Sequence, residues 1–297
     1  MASSALAIPR RSARATAREH LGDLAVRAGT FVLVLAALWA GWEAYRWLWM
    51  REGWTRPFVV DETTMPRIHE IVGQLFERLQ PGGPLLIELL FDAAIFTAKE
   101  AAVGFALGAS VGFALGVVLA HSRLLQRGLL PYVIASQTVP ILAVAPLVVV
   151  YLGSLNVPAW FSVSVISAYL TFFPVTINTL RGLHSADARA VELMRSYAAG
   201  RWSLLWKVRV PASLPYIFSA LKVSATASVV GAIIGELPSS IQEGLGGAIL
   251  NFNQYYTLDP ASLWATNIIA ALLGITFFIA VHLAERLVVR RAPENVA

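Results

Sequence analysis

The chain has 297 residues, 57% hydrophobic and 14% charged, with a mean hydropathy of +0.64, which is more apolar surface than an ordinary soluble domain carries. It contains no cysteine, which excludes disulfides and thiolate metal sites. The net charge of +5 lies mostly just outside apolar blocks, where membrane-topology signals sit, rather than in a nucleic-acid-binding patch.

Residues 1–27 are rich in Ala, Ser and Arg and read as a disordered cytoplasmic tail. The apolar run that follows, 28–49, is too long for the core of a secretory signal and reads as an uncleaved anchor. Further apolar blocks fall at 100–120, 129–152, 158–180, 214–236 and 262–284, each close to the roughly 20 residues that a spanning helix needs. The sequence therefore predicts an all-α integral membrane protein with six transmembrane helices over 28–290 and a short cytoplasmic tail at 291–297. Lys and Arg number five before the first block, two between the second and third, six between the fourth and fifth, and three after the sixth, against four, none and none in the alternate intervals. That asymmetry predicts cytoplasmic termini.

In chain order, Thr64-Met65-Pro66 precedes Ile68, Ile71, Val72, Leu75, Phe76 and Leu79, a spacing that predicts an amphipathic helix on the outer side. His69-Glu70 begins like a zinc-protease motif, but position 73 is Gly and no metal site follows. The second block carries Gly104, Gly108, Gly112 and Gly116 at four-residue intervals, a smooth ridge for close helix packing, within one subunit or between two. Gln137 and Thr138, with Pro140 and Pro146, interrupt the third block; they either line a solute path or hydrogen-bond between helices. Asn178, near the inner end of the fourth block, is a packing residue or a gate.

The fifth block is dense in small residues, including Ser224 and Ser228, and carries Lys222 and Glu236 near its ends, where each either snorkels or serves function. Residues 237–261 hold Gly244, Gly246 and Gly247, then Tyr255 and Tyr256. This stretch is too short to span and predicts a partly re-entrant outer segment, its aromatics either facing solute or forming an interfacial belt.

The longest basic interruption of the second half runs from Ser185 to Tyr216. Ser185 suits a helix N-cap, Ala186 to Tyr197 forms a helix, Ala199-Gly200 turns the chain, and a second short helix reaches Val210 before Pro211 and Pro215 bend it away. Glu192-Leu193-Met194, then Ala198 after three residues, then Val208-Arg209-Val210-Pro211 after nine more, match in spacing the E-A-A, G, I-x-L-P pattern of a coupling loop. With RVPASLPYIFSALKVS and QTVPILAVAPL, the chain resembles, over roughly 30–290, the inner-membrane permeases of bacterial ABC importers, in the branch serving nitrate, sulfonates and taurine. It departs at Leu193, Met194 and Ala198, with Gly200 two residues beyond the family's glycine.

That resemblance implies an ABC importer type I permease-like bundle with a cytoplasmic coupling helix in the loop 183–213. It implies a homodimer in the bacterial inner membrane, in contact with lipid. ABC ATPase subunits would lie below and a periplasmic or lipid-anchored solute-binding protein above. Glu192, Leu193, Met194, Ala198, Gly200 and Pro211 would form the ATPase-coupling surface. Gln137, Thr138, Asn178, Ser224, Ser228, Glu236, Tyr255 and Tyr256 are candidates for the translocation path.

The sequence itself has no G-x-x-x-x-G-K-[ST], so ATP and Mg would be bound by the partner and no cofactor by this chain. No G-x-S-x-G occurs and the five histidines are scattered, which leaves an enzyme without a site and nucleic acid without a footprint. Neither 128–180 nor 223–285 contains Lys or Arg, which favours a neutral or cationic organic solute, heteroaromatic in some relatives, over a bare anion such as nitrate or a sulfonate. A secondary transporter would need mid-span carboxylates and an internal repeat; a membrane scaffold would need no solute path.

Overall fold

The structure is a computed structural model that describes residues 13–54, 56 and 59–289, the side chains of 13–25, 27 and 28 excepted. It divides into two units, residues 1–70 and 71–297.

The first unit is dominated by α1 (Ala13–Glu52), a single 40-residue helix. It covers the expected first span and begins inside the segment expected to be a disordered tail, because the Ala- and Arg-rich sequence from residue 13 on is made of good helix formers. Both the remainder of that tail, 1–12, and the expected tail at 291–297 lie outside the described residues. Beyond α1 the chain is pinned back on itself: Trp42 Nε1 donates to the Pro66 carbonyl at 3.2 Å, and Arg46 pairs with Glu62 at 3.5 Å. The turn between them is organised by Asp61, whose Oδ1 accepts the backbone N–H groups of Thr63 and Thr64. The amphipathic helix expected after Pro66 is short, α2 (Ile68–Gln74). Its first turn is closed by Glu70, which accepts the Arg67 N–H.

In the second unit, α3 (Leu86–His121) starts fourteen residues before the expected span. Glu88 and Asp92 both face outward on these added turns, and Glu88 caps the helix by accepting the Leu85 N–H. The expected third span is not one straight helix. It is α4 (Arg123–Ser136) and α5 (Ile141–Ser154), bent by 98° across 137–140, where Pro140 has no N–H to offer and disfavours the helical conformation at the residue before it. The fourth block is α6 (Ala159–His184). After α7 (Ala188–Ser196) come α8 (Arg201–Leu204), a π-helical turn (Leu205–Arg209) and α9 (Val210–Ser239), in unbroken succession.

The second short helix and the bend at Pro211 and Pro215 are thus corrected: the chain runs through both prolines as one helix. The Val210 N–H reaches back five residues to the Leu205 carbonyl, and this wider turn makes room for the Pro211 ring, which in an α-helix clashes with the carbonyl four residues before it. Then follow α10 (Leu245–Gln254) and α11 (Pro260–Val288), the latter capped by Asp259.

Among the described residues, α3, α6, α8 to α9 together, and α11 are each long and apolar enough to cross a membrane, and the bent pair α4–α5 makes a fifth crossing if counted as one. The hub is α6, clasped by α3 on one side and α9 on the other. The glycine ridge makes the first contact: a Cβ on Gly104, Gly108, Gly112 or Gly116 would lie 2.4–2.7 Å from atoms of α6. The ridge is therefore spent on packing within one chain. A second apolar cluster, with Leu86, Leu90, Leu245, Phe252 and Ala265 buried, seats α10 against α3 and α11 at the opposite end from α7.

Candidate coupling and translocation sites

The polar segment builds an exposed corner. Asp187, not Ser185, caps α7, accepting the Arg189 N–H at 2.9 Å; the Ser185 hydroxyl instead donates to the Gly182 carbonyl and closes α6. No residue of α7 is buried, and Leu193 and Tyr197 are 58% and 77% exposed, so the helix presents both its apolar and its polar side chains, Glu192 among them, to its surroundings. The helix ends in paired bonds, Ala198 N–H to the Arg195 carbonyl and Ala199 N–H to the Met194 carbonyl, with Ala198 at φ +52°. This is the position where the resemblance expects glycine, and the left-handed backbone supplies the physical reason. Gly200 has an ordinary φ of −66°, and a Cβ there would meet nothing within 4 Å. Pro211 lies exposed at the start of α9.

Gln137 and Thr138 sit exposed at the elbow between α4 and α5 and line a cavity of about 410 Å³, shared with Tyr169 and Pro174 of α6. The Thr138 hydroxyl donates to the Ala135 carbonyl, and the Tyr169 hydroxyl to the Ser136 carbonyl, which adds side-chain donors to the last carbonyls of α4 beside the Thr138 and Val139 N–H groups. Asn178 is half-buried on α6 and donates to the Pro174 carbonyl of its own helix at 2.9 Å.

Ser224, Ser228 and Glu236 do not face open space. Ser224 donates to the Thr171 carbonyl at 3.2 Å, and the Ser228 carbonyl accepts from Ser167 at 2.8 Å, so both serine positions stitch α9 to α6. Lys222, rather than snorkelling, pairs with Glu285 of α11 at 2.9 Å, with both side chains less than a quarter exposed.

Glu236 is fully buried and works as a clamp. One carboxylate oxygen accepts from Thr97 of α3 at 2.6 Å, and the other accepts the Gly246 N–H in the first turn of α10. Thr97 in turn accepts the Leu245 N–H at 2.9 Å. The carboxylate and Thr97 together thus satisfy two otherwise unpaired amides of a buried helix start. A Cβ on Gly244 would lie 2.3 Å from that carboxylate, and one on Gly246 2.6 Å from the Ile233 carbonyl, so these glycines are what let the turn close over Glu236. One turn beyond Thr97, Glu100 is 1% exposed and lies within hydrogen-bond reach of the Glu236 carboxyl, with no other residue donating to it. Sequence reading passed over Thr97 and Glu100. Glu100 was detectable as a carboxylate at the first position of an expected span. Tyr255 and Tyr256 follow α10, Tyr255 being 55% exposed.

Buried small-residue helix contacts, a broken span and a projecting basic loop define a multi-pass membrane bundle. Residues 112–292 match the family described as "Binding-protein-dependent transport system inner membrane component", and the chain belongs to it. It is a transport component of the inner membrane, an ABC transporter permease rather than an enzyme.

The riboflavin transport system permease RibX of Chloroflexus aurantiacus is 34% identical over 74% of this chain and 77% of its own length. The formylaminopyrimidine transport permease ThiX of Halalkalibacterium halodurans is 33% identical over 54% and 62%, and the putative aliphatic sulfonates permease SsuC of Bacillus subtilis 31% over 77% and 78%. A solved amino acid ABC transporter crystallised with histidines superposes with a TM-score of 0.55 at 17% identity, covering 68% of this chain and 95% of its own, which supports the type I permease-like fold.

Proposed function

We propose that this chain carries a small solute into the cytoplasm on energy from ATP hydrolysed, with Mg, by a separate ATPase subunit. The carrying observation is α7, a helix with no buried residue that displays Glu192, Leu193 and Met194 beside the strained corner at Ala198. In this reading α7 sits in a cleft of the ATPase with Glu192 paired to a cation there, and Gly200 and Pro211 bound the segment. The basic loop and both termini face the cytoplasm, and a periplasmic or lipid-anchored binding protein delivers solute to the opposite face, where α10 lies. Two copies of this chain form the path, with Gln137, Thr138 and Asn178 at the elbow and Tyr255 and Tyr256 at the outer end. Ser224, Ser228 and Glu236 act by holding the helices that border it.

The solute is a neutral or cationic, heteroaromatic organic compound. The cation-free stretches 128–180 and 223–285 support this, as do the relatives named for riboflavin and formylaminopyrimidine. The relative named for aliphatic sulfonates supports the competing anion reading.

The test is co-purification from the native host in mild detergent, wild type beside Glu192→Arg. The expected result is an ATPase subunit retained by the wild type and lost by a folded mutant; absence of an ATPase from both overturns the coupling role. Proteoliposomes of the purified complex, offered riboflavin or taurine, decide the solute class, and uptake of taurine alone overturns the heteroaromatic assignment.

A further inference from the structure

At the end of the bundle where α3 and α6 stop, a cavity of about 620 Å³ is walled by four arginines and two histidines: Arg123, Arg195, Arg201, Arg209, His121 and His184. They come from separate elements, the ends of α3 and α6, the start of α4, α7, α8 and the π-helical turn, so the fold rather than a local run of basic sequence brings them together. No Asp or Glu lines the cavity. Among the described residues none of the four arginines takes part in an ion pair. Arg209 is half-buried.

Four guanidinium groups facing one concave space repel each other unless an anion stands between them. The planar, bidentate fork of arginine suits a phosphate oxyanion better than a point cation does. Trp202 at the rim lies 6.3 Å from the His121 ring and is 71% exposed, and Trp206 one turn on is 55% exposed. An exposed tryptophan pair where apolar helices end marks the level of lipid headgroups.

We infer that this cavity is a phosphate-binding site, filled by the phosphodiester headgroup of an anionic lipid or by free phosphate. The site goes beyond the coupling surface, since it faces the interior of the corner that α7 and α8 make with α3 and α6 and not the outer side of α7. A basic pocket between transmembrane helix ends is the setting in which headgroup phosphates are held. Occupancy would tie α7 and α8 to the end of α3, so the anion would stiffen the segment that the ATPase grips.

The full-length chain in phosphatidylcholine nanodiscs is titrated in one arm with phosphatidylglycerol and in another with inorganic phosphate, following the thermal unfolding midpoint and tryptophan emission. Arg123→Gln with Arg209→Gln is compared with Arg201→Gln alone, whose exposed position spares folding. The expected result is a saturable response that both variants weaken by about tenfold or more, as loss of charge-assisted bonds implies. A response to phosphatidylglycerol assigns the site to lipid, and a response to inorganic phosphate alone assigns it to the free anion; either upholds the inference. No saturable response in either arm overturns it, as does a response equal in wild type and folded variants.

Discussion

Ala198 holds an L side chain in left-handed backbone, at φ +52°, to end the helix that projects from the bundle. The clash of Cβ with the following carbonyl costs about 1–2 kcal/mol, a cost that glycine does not carry. Ala198→Gly is therefore expected to stabilise the corner by about 1 kcal/mol, visible as a slower hydrogen exchange of the Ala199 amide. Alanine gives no hint in sequence of a positive φ; only the family spacing pointed to this position, and the structure shows that its requirement is one of backbone conformation.

At Asp61 the signal was also silent. Backbone donation from Thr64 holds its carboxyl below the usual value near 3.8, outweighing the opposing effect of desolvation, with the Thr64 hydroxyl and the Thr63 N–H adding to it. A group whose folded value is depressed stabilises above its unfolded value and loses that contribution as pH falls through the folded one. The 59–67 turn should resist proteolysis at neutral pH and open below about pH 4, and Asp61→Asn should remove the pH dependence.

At the scale of elements, the apolar blocks were legible because length and hydropathy alone define a span. Direction was not legible: hydropathy over 129–152 is blind to a 98° bend, although Pro140 carried the cause. Small polar residues were ambiguous for a related reason. Ser224 and Ser228 suit a wet path or a tight helix contact equally well, and only the position of α6 decides between them. The glycine ridge was read for its geometry, and its partner emerges as α6. Gly112→Ala would put a Cβ 2.5 Å from the Phe172 carbonyl, a backbone atom that cannot swing aside. It is expected to cost about 1–3 kcal/mol in a detergent unfolding titration, while Gly128→Ala, where nothing lies within 4 Å, should be neutral or better.

Across the whole molecule, one carboxylate joins three helices: Glu236 of α9 binds Thr97 of α3 and the first turn of α10. Removing it strands those donors, so Glu236→Ala should destabilise by about 2–3 kcal/mol and loosen α10, measured as a lower unfolding midpoint. Glu100→Gln sets an amide donor beside the Glu236 carboxylate in place of a second carboxyl group and should leave the midpoint unchanged or raise it.

The π-helical turn at Leu205–Arg209 has a bearing on how such a chain can change over generations. It stores one residue more than an α-helix of the same rise. Deleting any one of the five would restore the regular count and leave Arg201 and Trp202 facing much as they do, but would bring the Pro211 ring against the carbonyl four residues before it. The turn thus lets the chain carry one residue more between the polar segment and the membrane-embedded face of α9 while the contacts on either side keep their place.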